Sequence, residues 1–194
     1  MKTRDRILSI ALELFNTEGV AALSAVDIAS AMGISAGHLY YHFKGKSEIL
    51  AELMTRHREE VDLVLEAARE AVATGDISIE SLWTHVHILT EEAWDARFFY
   101  REPALAAGQP DVAAHARHIL AAQRNVLGEM LEALDAAGTI TASPEVRDGL
   151  VGQLVTGIAF HMHTLELEGA HGPPRERIAR AAAQIMIPVA GLAG

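Results

Sequence analysis

The chain has 194 residues, 50% of them hydrophobic, a formal net charge of −10 and no cysteine. That length suffices for one substantial core, or for a small domain beside a larger one. Without cysteine there is no disulfide framework, thiolate metal site or thiol nucleophile, and a reducing cytoplasm fits. No apolar run approaches the roughly 18 residues of a transmembrane helix, so no membrane partner is expected.

Apolar positions recur at three- and four-residue steps nearly throughout, which predicts an all-α protein. Met1 to Phe15 puts basic residues before an apolar stretch, as a signal peptide would, but Glu13 and Glu18 interrupt it and favour an amphipathic helix. This first helix is expected over 3–17, with Ile7, Ile10, Ala11, Leu14 and Phe15 on one face and Gly19 just beyond. Ser24 and Asp27 form a Ser-x-x-Asp capping box for a second helix through Met32. Gly33 supplies the stop, and Ser35 caps a third helix ending near Phe43, with Ile34 and Leu39 as a hydrophobic staple.

Lys44-Gly45-Lys46-Ser47 is a turn whose Ser47 is expected to cap a long fourth helix reaching about residue 72. Its apolar stripe is Leu50, Met54, His57, Val61, Val64 and Ala68. A fifth helix over 78–95 turns Leu82, Trp83, Val86 and Leu89 inward, and Phe98-Phe99-Tyr100 with 103–110 reads as a bent, partly helical connection. A seventh helix over 111–137 closes at Gly138, and an eighth starts at Ser143-Pro144 and extends to residue 168. The last covers 174–187 and stops at Pro188.

The charge is unevenly spread. Residues 1–46 carry five Lys/Arg against four acids, a balance of +1, and the remaining 148 residues sum to −11. Such asymmetry suits a small DNA-facing module on an acidic body that repels phosphate. Two short capped helices around Gly33-Ile34-Ser35 have the form of a helix-turn-helix, whose second helix enters a major groove. Leu39 and Phe43, four apart, face the core. That leaves Ala36, Gly37, His38, Tyr40, Tyr41 and His42 to address or border DNA, because a bury-everything reading cannot absorb three consecutive polar aromatics on a short helix. Gly37 opens the backbone to a phosphate or base edge. Lys44 and Lys46 are either solvated charges or phosphate contacts, and a position between two helices favours contact for Lys46.

These residues resemble the TetR family of bacterial regulators. The resemblance rests on the Gly19 turn, Asp27-Ile28-Ala29, Met32-Gly33-Ile34-Ser35, Leu39-Tyr40-Tyr41-His42-Phe43, Lys46 and Ile49-Leu50, an ordered pattern over about 45 residues. It implies that Tyr40, Tyr41 and His42 contact DNA and that Lys46 holds a phosphate. Ala25 departs from the small hydroxyl residue of many relatives, so Ser24 supplies that contact instead. It also implies a fold with an N-terminal three-helix bundle carrying the helix-turn-helix (1–46) and a larger C-terminal helical ligand-binding and dimerisation domain (47–194). The implied function is a sequence-specific repressor of transcription, released from a double-stranded operator by an unknown small molecule, and not an enzyme. Phe98 to Ala107 resembles one branch of the family, without indicating a ligand.

Pocket candidates are Trp83, His87, Phe98, Phe99, Tyr100, Phe160 and His161, each with plain core as the alternative. Small residues Gly149, Gly152, Thr156 and Ala159 on the eighth helix, with Ala181, Ala182 and Ile185 on the ninth, suggest a homodimer surface. Packing within one subunit is the alternative. Two-fold pairing would set two recognition helices one DNA turn apart, roughly 34 Å. A rival reading is a histidine-dependent metal protein built on His115/His118, His85/His87 or His161/His163, although i, i+2 pairs on a helix diverge. No cofactor is expected, since no phosphate loop, nucleophile elbow or HExxH pattern occurs. A helical adaptor binding protein rather than DNA is the third possibility.

Overall fold

The computed structural model describes residues 2–102, 105 and 109–193, and among these it forms nine helices and no strand. They are α1 (Thr3–Glu18), α2 (Ala25–Ala31), α3 (Ala36–His42), α4 (Lys46–Thr74), α5 (Ile79–Asp95), α6 (Arg97–Arg101), α7 (Pro110–Ala136), α8 (Pro144–Leu167) and α9 (Pro174–Ala190). Pro103, Ala104 and residues 106–108 of the expected bent connection lie outside the described residues. The chain divides into two compact units, Met1–Glu59 with Asp95–Ala116, and Glu60–Trp94 with Arg117–Gly194.

In the first unit α1 buries Ile7, Leu8, Ala11 and Phe15, and the Phe15 ring packs 5.8 Å from that of Phe98 on α6. Polar groups fix the joint between these helices. Asn16, itself buried, donates from Nδ2 to the Asp95 carbonyl at 2.6 Å and accepts from the Phe98 N–H at 2.9 Å, while its own carbonyl accepts from Arg101 at 2.9 Å. The turn after α1 is held in the same way. The Val20 N–H donates to Glu102 Oε1 at 2.7 Å, and Gly19 adopts φ 86°, where a Cβ would stand 2.7 Å from that carboxylate oxygen.

Ion pairs lace α1 to α4: Arg4 to Glu52 at 2.9 Å and Arg56 to Asp5 at 2.9 Å. Hydrogen bonds from Arg56 and Arg4 hold the Asp5 and Glu52 carboxyls below the ordinary carboxylate range. Deeper in α4, His57 lies with Nε2 3.0 Å from the Tyr100 hydroxyl, and burial pushes its pKa down to about 4. A buried neutral histidine stabilises the fold above its unfolded pKa, roughly 6.5, and that contribution fades as the pH falls toward the folded value.

In the second unit α8 buries Leu150, Val151, Leu154, Val155, Ile158, Ala159, Met162 and Leu165, so about half of its circumference is core. α9 lies close against it. A Cβ on Gly157 would come within 2.8 Å of Ile185, so that bare stretch of α8 is the seat of the Ile185 side chain. Trp94, Met162, Leu165, Ile178 and Ala181 form one cluster, with the Arg177 guanidinium 4.8 Å over the Trp94 ring. Arg147 ties α8 back to Asp135 at 2.6 Å.

Several expectations are corrected. α4 begins at Lys46 and Ser47 is not its cap, because the Glu48 carboxylate reaches back to the Lys44 N–H at 2.6 Å. Leu65 is fully buried where Val64 was expected and is only half-buried, a shift of one position around the helix. Trp83 is 36% exposed, since its neighbour Leu82 lies on the stripe with Val86, Leu89 and Ala93 that takes the core. α9 continues through Pro188 to Ala190, as the missing N–H removes a single ladder bond within the last turn.

Candidate nucleic-acid interface

Local hydrogen bonding fixes where α2 and α3 begin and end. Ser24 Oγ accepts from the Asp27 N–H at 3.3 Å, and the Asp27 carboxylate accepts from the Ser24 N–H at 2.8 Å and its hydroxyl at 2.6 Å. The Ser24 hydroxyl and amide together hold the Asp27 carboxyl below its ordinary range. At the other end Gly33, with φ 68°, lets its N–H reach the Ser30 carbonyl and the Ile34 N–H reach that of Ala29, both at 3.0 Å. Ser35 Oγ then accepts from the His38 N–H at 3.2 Å and α3 starts.

The core anchors α3 by one face only. Leu39 is fully buried, as is Phe43 just past its end, and the Arg4 guanidinium lies 4.6 Å over the Phe43 ring. The rest of the helix is therefore turned outward. Tyr41 is 84% and Tyr40 49% exposed, Gly37 and His38 are exposed, and Ala36 and His42 are half-buried. The His38 and His42 rings lie 5.6 Å apart, with the Tyr41 ring edge-on to His42 at 5.1 Å. A Cβ on Gly37 would meet only Ser35 Oγ, at 3.9 Å, so no packing reason demands a glycine there.

Lys46 is not a free lysine. Its Nζ donates to the carbonyls of Val20 at 2.7 Å and Leu23 at 2.6 Å, bracing the α1–α2 turn, which leaves one N–H for any phosphate. Ser24 is exposed, although its hydroxyl is already engaged by Asp27.

The other expected sites are divided between the two units. Phe98, Phe99 and Tyr100 are buried within the first unit, with Phe98 on Phe15 and Tyr100 beside His57. In the second unit the Trp83 ring stacks on His87 at 5.0 Å and lines a surface groove of about 550 Å³ with Met186 and Ile187. Phe160, 45% exposed, lines a different groove with Leu120, Arg124 and Thr156, and His161 donates to Gln184 Oε1 at 2.8 Å. Of the small-residue stripe, Gly149 and Thr156 are exposed and Gly152 half-buried, whereas Ala159, Ala181, Ala182 and Ile185 are buried inside the subunit. Small residues permit close helix approach, and on α9 the intramolecular contact with α8 uses them.

Sequence reasoning missed Asn16, Glu102 and Gln123. Asn16 joins α1 to α6, Glu102 holds the turn between α1 and α2, and Gln123 on α7 is 1% exposed with an amide nitrogen that has no hydrogen-bond partner. A polar residue within an apolar face, as Asn16 follows Phe15, is the signal that could have found them. The metal reading gains no support: among the described residues no group of three His, Asp or Glu could hold an ion, and His118 pairs with Asp62 at 2.9 Å.

Two family models match the chain, one described as bacterial regulatory proteins of the tetR family over residues 7–53, the other as a bacterial transcriptional repressor over residues 56–192. The AcrR regulator of Shigella flexneri is 44% identical over 52 residues, 27% of this chain and 24% of that protein. The YttP regulator of Bacillus subtilis (strain 168) is 30% identical over 105 residues, 53% of this chain and 51% of that protein. The chain thus spans between about a quarter and about half of the length of these curated relatives. A TetR-family regulator from Marinobacter aquaeolei VT8 shares the fold with a TM-score of 0.84 and 26% identity, covering 100% of this chain and 92% of that one. Like AcrR and YttP, it is described as a transcriptional regulator.

Proposed function

Because the chain belongs to the TetR family of bacterial regulatory proteins, we propose that it is a sequence-specific DNA-binding repressor of transcription, acting in the cytoplasm as a homodimer. Residues 1–46 are its reading head, and 47–194 hold the partner subunit and a small molecule that releases the operator. The observation that carries this reading is α3 itself, fixed by Leu39 and Phe43 while Gly37, His38, Tyr40 and Tyr41 stand in solvent. Exposed tyrosines on a short rigid helix give amphipathic rings that can lie along a sugar-phosphate backbone, with their hydroxyls donating to phosphate.

The dimer reading now rests on the outward side of α8, where Gly149, Gly152, Thr156 and Phe160 remain at least partly accessible. The ligand reading is supported by Gln123 Nε2 and His87 Nδ1, buried polar atoms of the second unit without hydrogen-bond partners. Such an atom costs about 1–3 kcal/mol until something meets it. A small molecule with polar groups would meet it.

Selection of bound fragments from genomic DNA tests the proposal, followed by binding to the recovered duplex over a salt series. A two-fold site with affinity falling steeply as salt rises is expected. A folded dimer that prefers no duplex at low ionic strength, with no small molecule added, would overturn it.

A further inference from the structure

The recognition helix lacks what a DNA-facing helix ordinarily carries. α3 reads AGHLYYH and contains neither lysine nor arginine. Its only groups able to become cationic are His38, exposed in the first turn, and His42, half-buried in the last, with ring centroids 5.6 Å apart. Imidazole is the side chain that ordinarily changes charge between about pH 5 and 8.

Several charged groups on the neighbouring elements are committed elsewhere. On α2, Asp27 is held by Ser24; on α1, Arg4 pairs with Glu52. In the first turn of α4, Lys46 Nζ sits on the Val20 and Leu23 carbonyls, and Glu48 accepts from the Lys44 N–H. The Lys44 ammonium lies outside the helix, and on α3 itself the remaining titratable groups are the phenols of Tyr40 and Tyr41. Inside the helix, therefore, the state of two imidazoles decides whether the surface offered to phosphate is neutral or positive.

We propose that DNA recognition by this chain is proton-linked, with His38 and His42 taking up protons as α3 meets the duplex. The inference rests on the proposed DNA-binding function and adds its regulation: phosphate oxygens beside two closely spaced imidazoles favour the charged form of each ring. Affinity then rises as pH falls, because protons bind more tightly to the complex than to the free protein. Acidification near neutrality tightens the grip on the operator.

The test is fluorescence anisotropy of a labelled duplex carrying the selected site, at constant salt with a chelator present, at about pH 6, 7 and 8. That window avoids most of the acid destabilisation from His57. For the unaltered chain, affinity should increase roughly tenfold from about pH 8 to about pH 6. The salt dependence should also steepen, by about 0.9 in the log–log slope for each imidazolium that displaces a counterion. His38→Gln and His42→Gln should each remove part of the pH dependence and the double variant nearly all of it, with melting temperature confirming an intact fold. A flat profile, an unchanged salt slope, or a pH dependence that survives in the folded double variant would overturn the inference and leave DNA binding standing. Absence of binding at every pH overturns the DNA reading as well.

Discussion

Each of the two compact units is braced internally by different chemistry. In the first, the joints are polar and directional: Asn16 between α1 and α6, Glu102 on the turn at Gly19, Lys46 under the same turn, and the Arg4–Glu52 and Arg56–Asp5 pairs. In the second, α8 and α9 meet mainly by shape, with Ile185 seated at Gly157, and a His161–Gln184 hydrogen bond at 2.8 Å adds to it. Hydrogen bonds define one geometry, whereas apolar surfaces tolerate small slides at modest cost. A unit that must present α3 at a fixed angle needs the first kind of joint. A unit proposed to accommodate a ligand is better served by the second.

If that contrast is right, removing one polar pin should cost more than disturbing one apolar contact. Asn16→Ala deletes two hydrogen bonds from a buried amide and leaves the Phe98 N–H and the Asp95 carbonyl without it. We expect a loss of about 3 kcal/mol in chemical denaturation, with amide exchange accelerated in α1 and α6. Gly157→Val forces a branched side chain into the place of Ile185, and we expect about 2 kcal/mol, with faster exchange in α8 and α9. The reverse ranking, or exchange spread evenly over the chain for either variant, would show that the two units do not differ in this way.

How much of this was legible in sequence follows the same division. Helix limits near the N-terminus were readable because they are set by local punctuation: Ser24 with Asp27, Gly33 at φ 68°, Ser35 before His38. The burial of Leu39 and Phe43 followed from their four-residue spacing. The pin at Asn16 was not legible, because its partners lie 79 and 82 residues away and no local rule links them. Ala181, Ala182 and Ile185 illustrate a second limit. A stripe of small residues says that a helix is approached closely but not by which helix, and α8 of the same subunit is the one that comes. Trp83 shows a third: beside Leu82 in a helix, only one of two adjacent apolar residues can take the centre of the buried stripe.

The smallest expected effect in stability is the most informative about function, because it separates the fold's requirements from those of the surface. Gly37 sits in the first turn of α3 with ordinary helical backbone, and a Cβ there would make only an ordinary contact with Ser35 Oγ, so the fold gives no reason for glycine. Gly37→Ala should therefore stabilise the chain by about 0.5–1 kcal/mol, the usual gain from reducing the unfolded chain's freedom within a helix. A duplex approaching that face would meet the added methyl group. Operator affinity should fall roughly fivefold, a change of about 1 kcal/mol opposite in sign to the stability gain. Melting and anisotropy on the same preparation read both quantities. A more stable variant with undiminished affinity would mean that this part of the helix does not touch DNA, and the glycine's openness would then need another explanation.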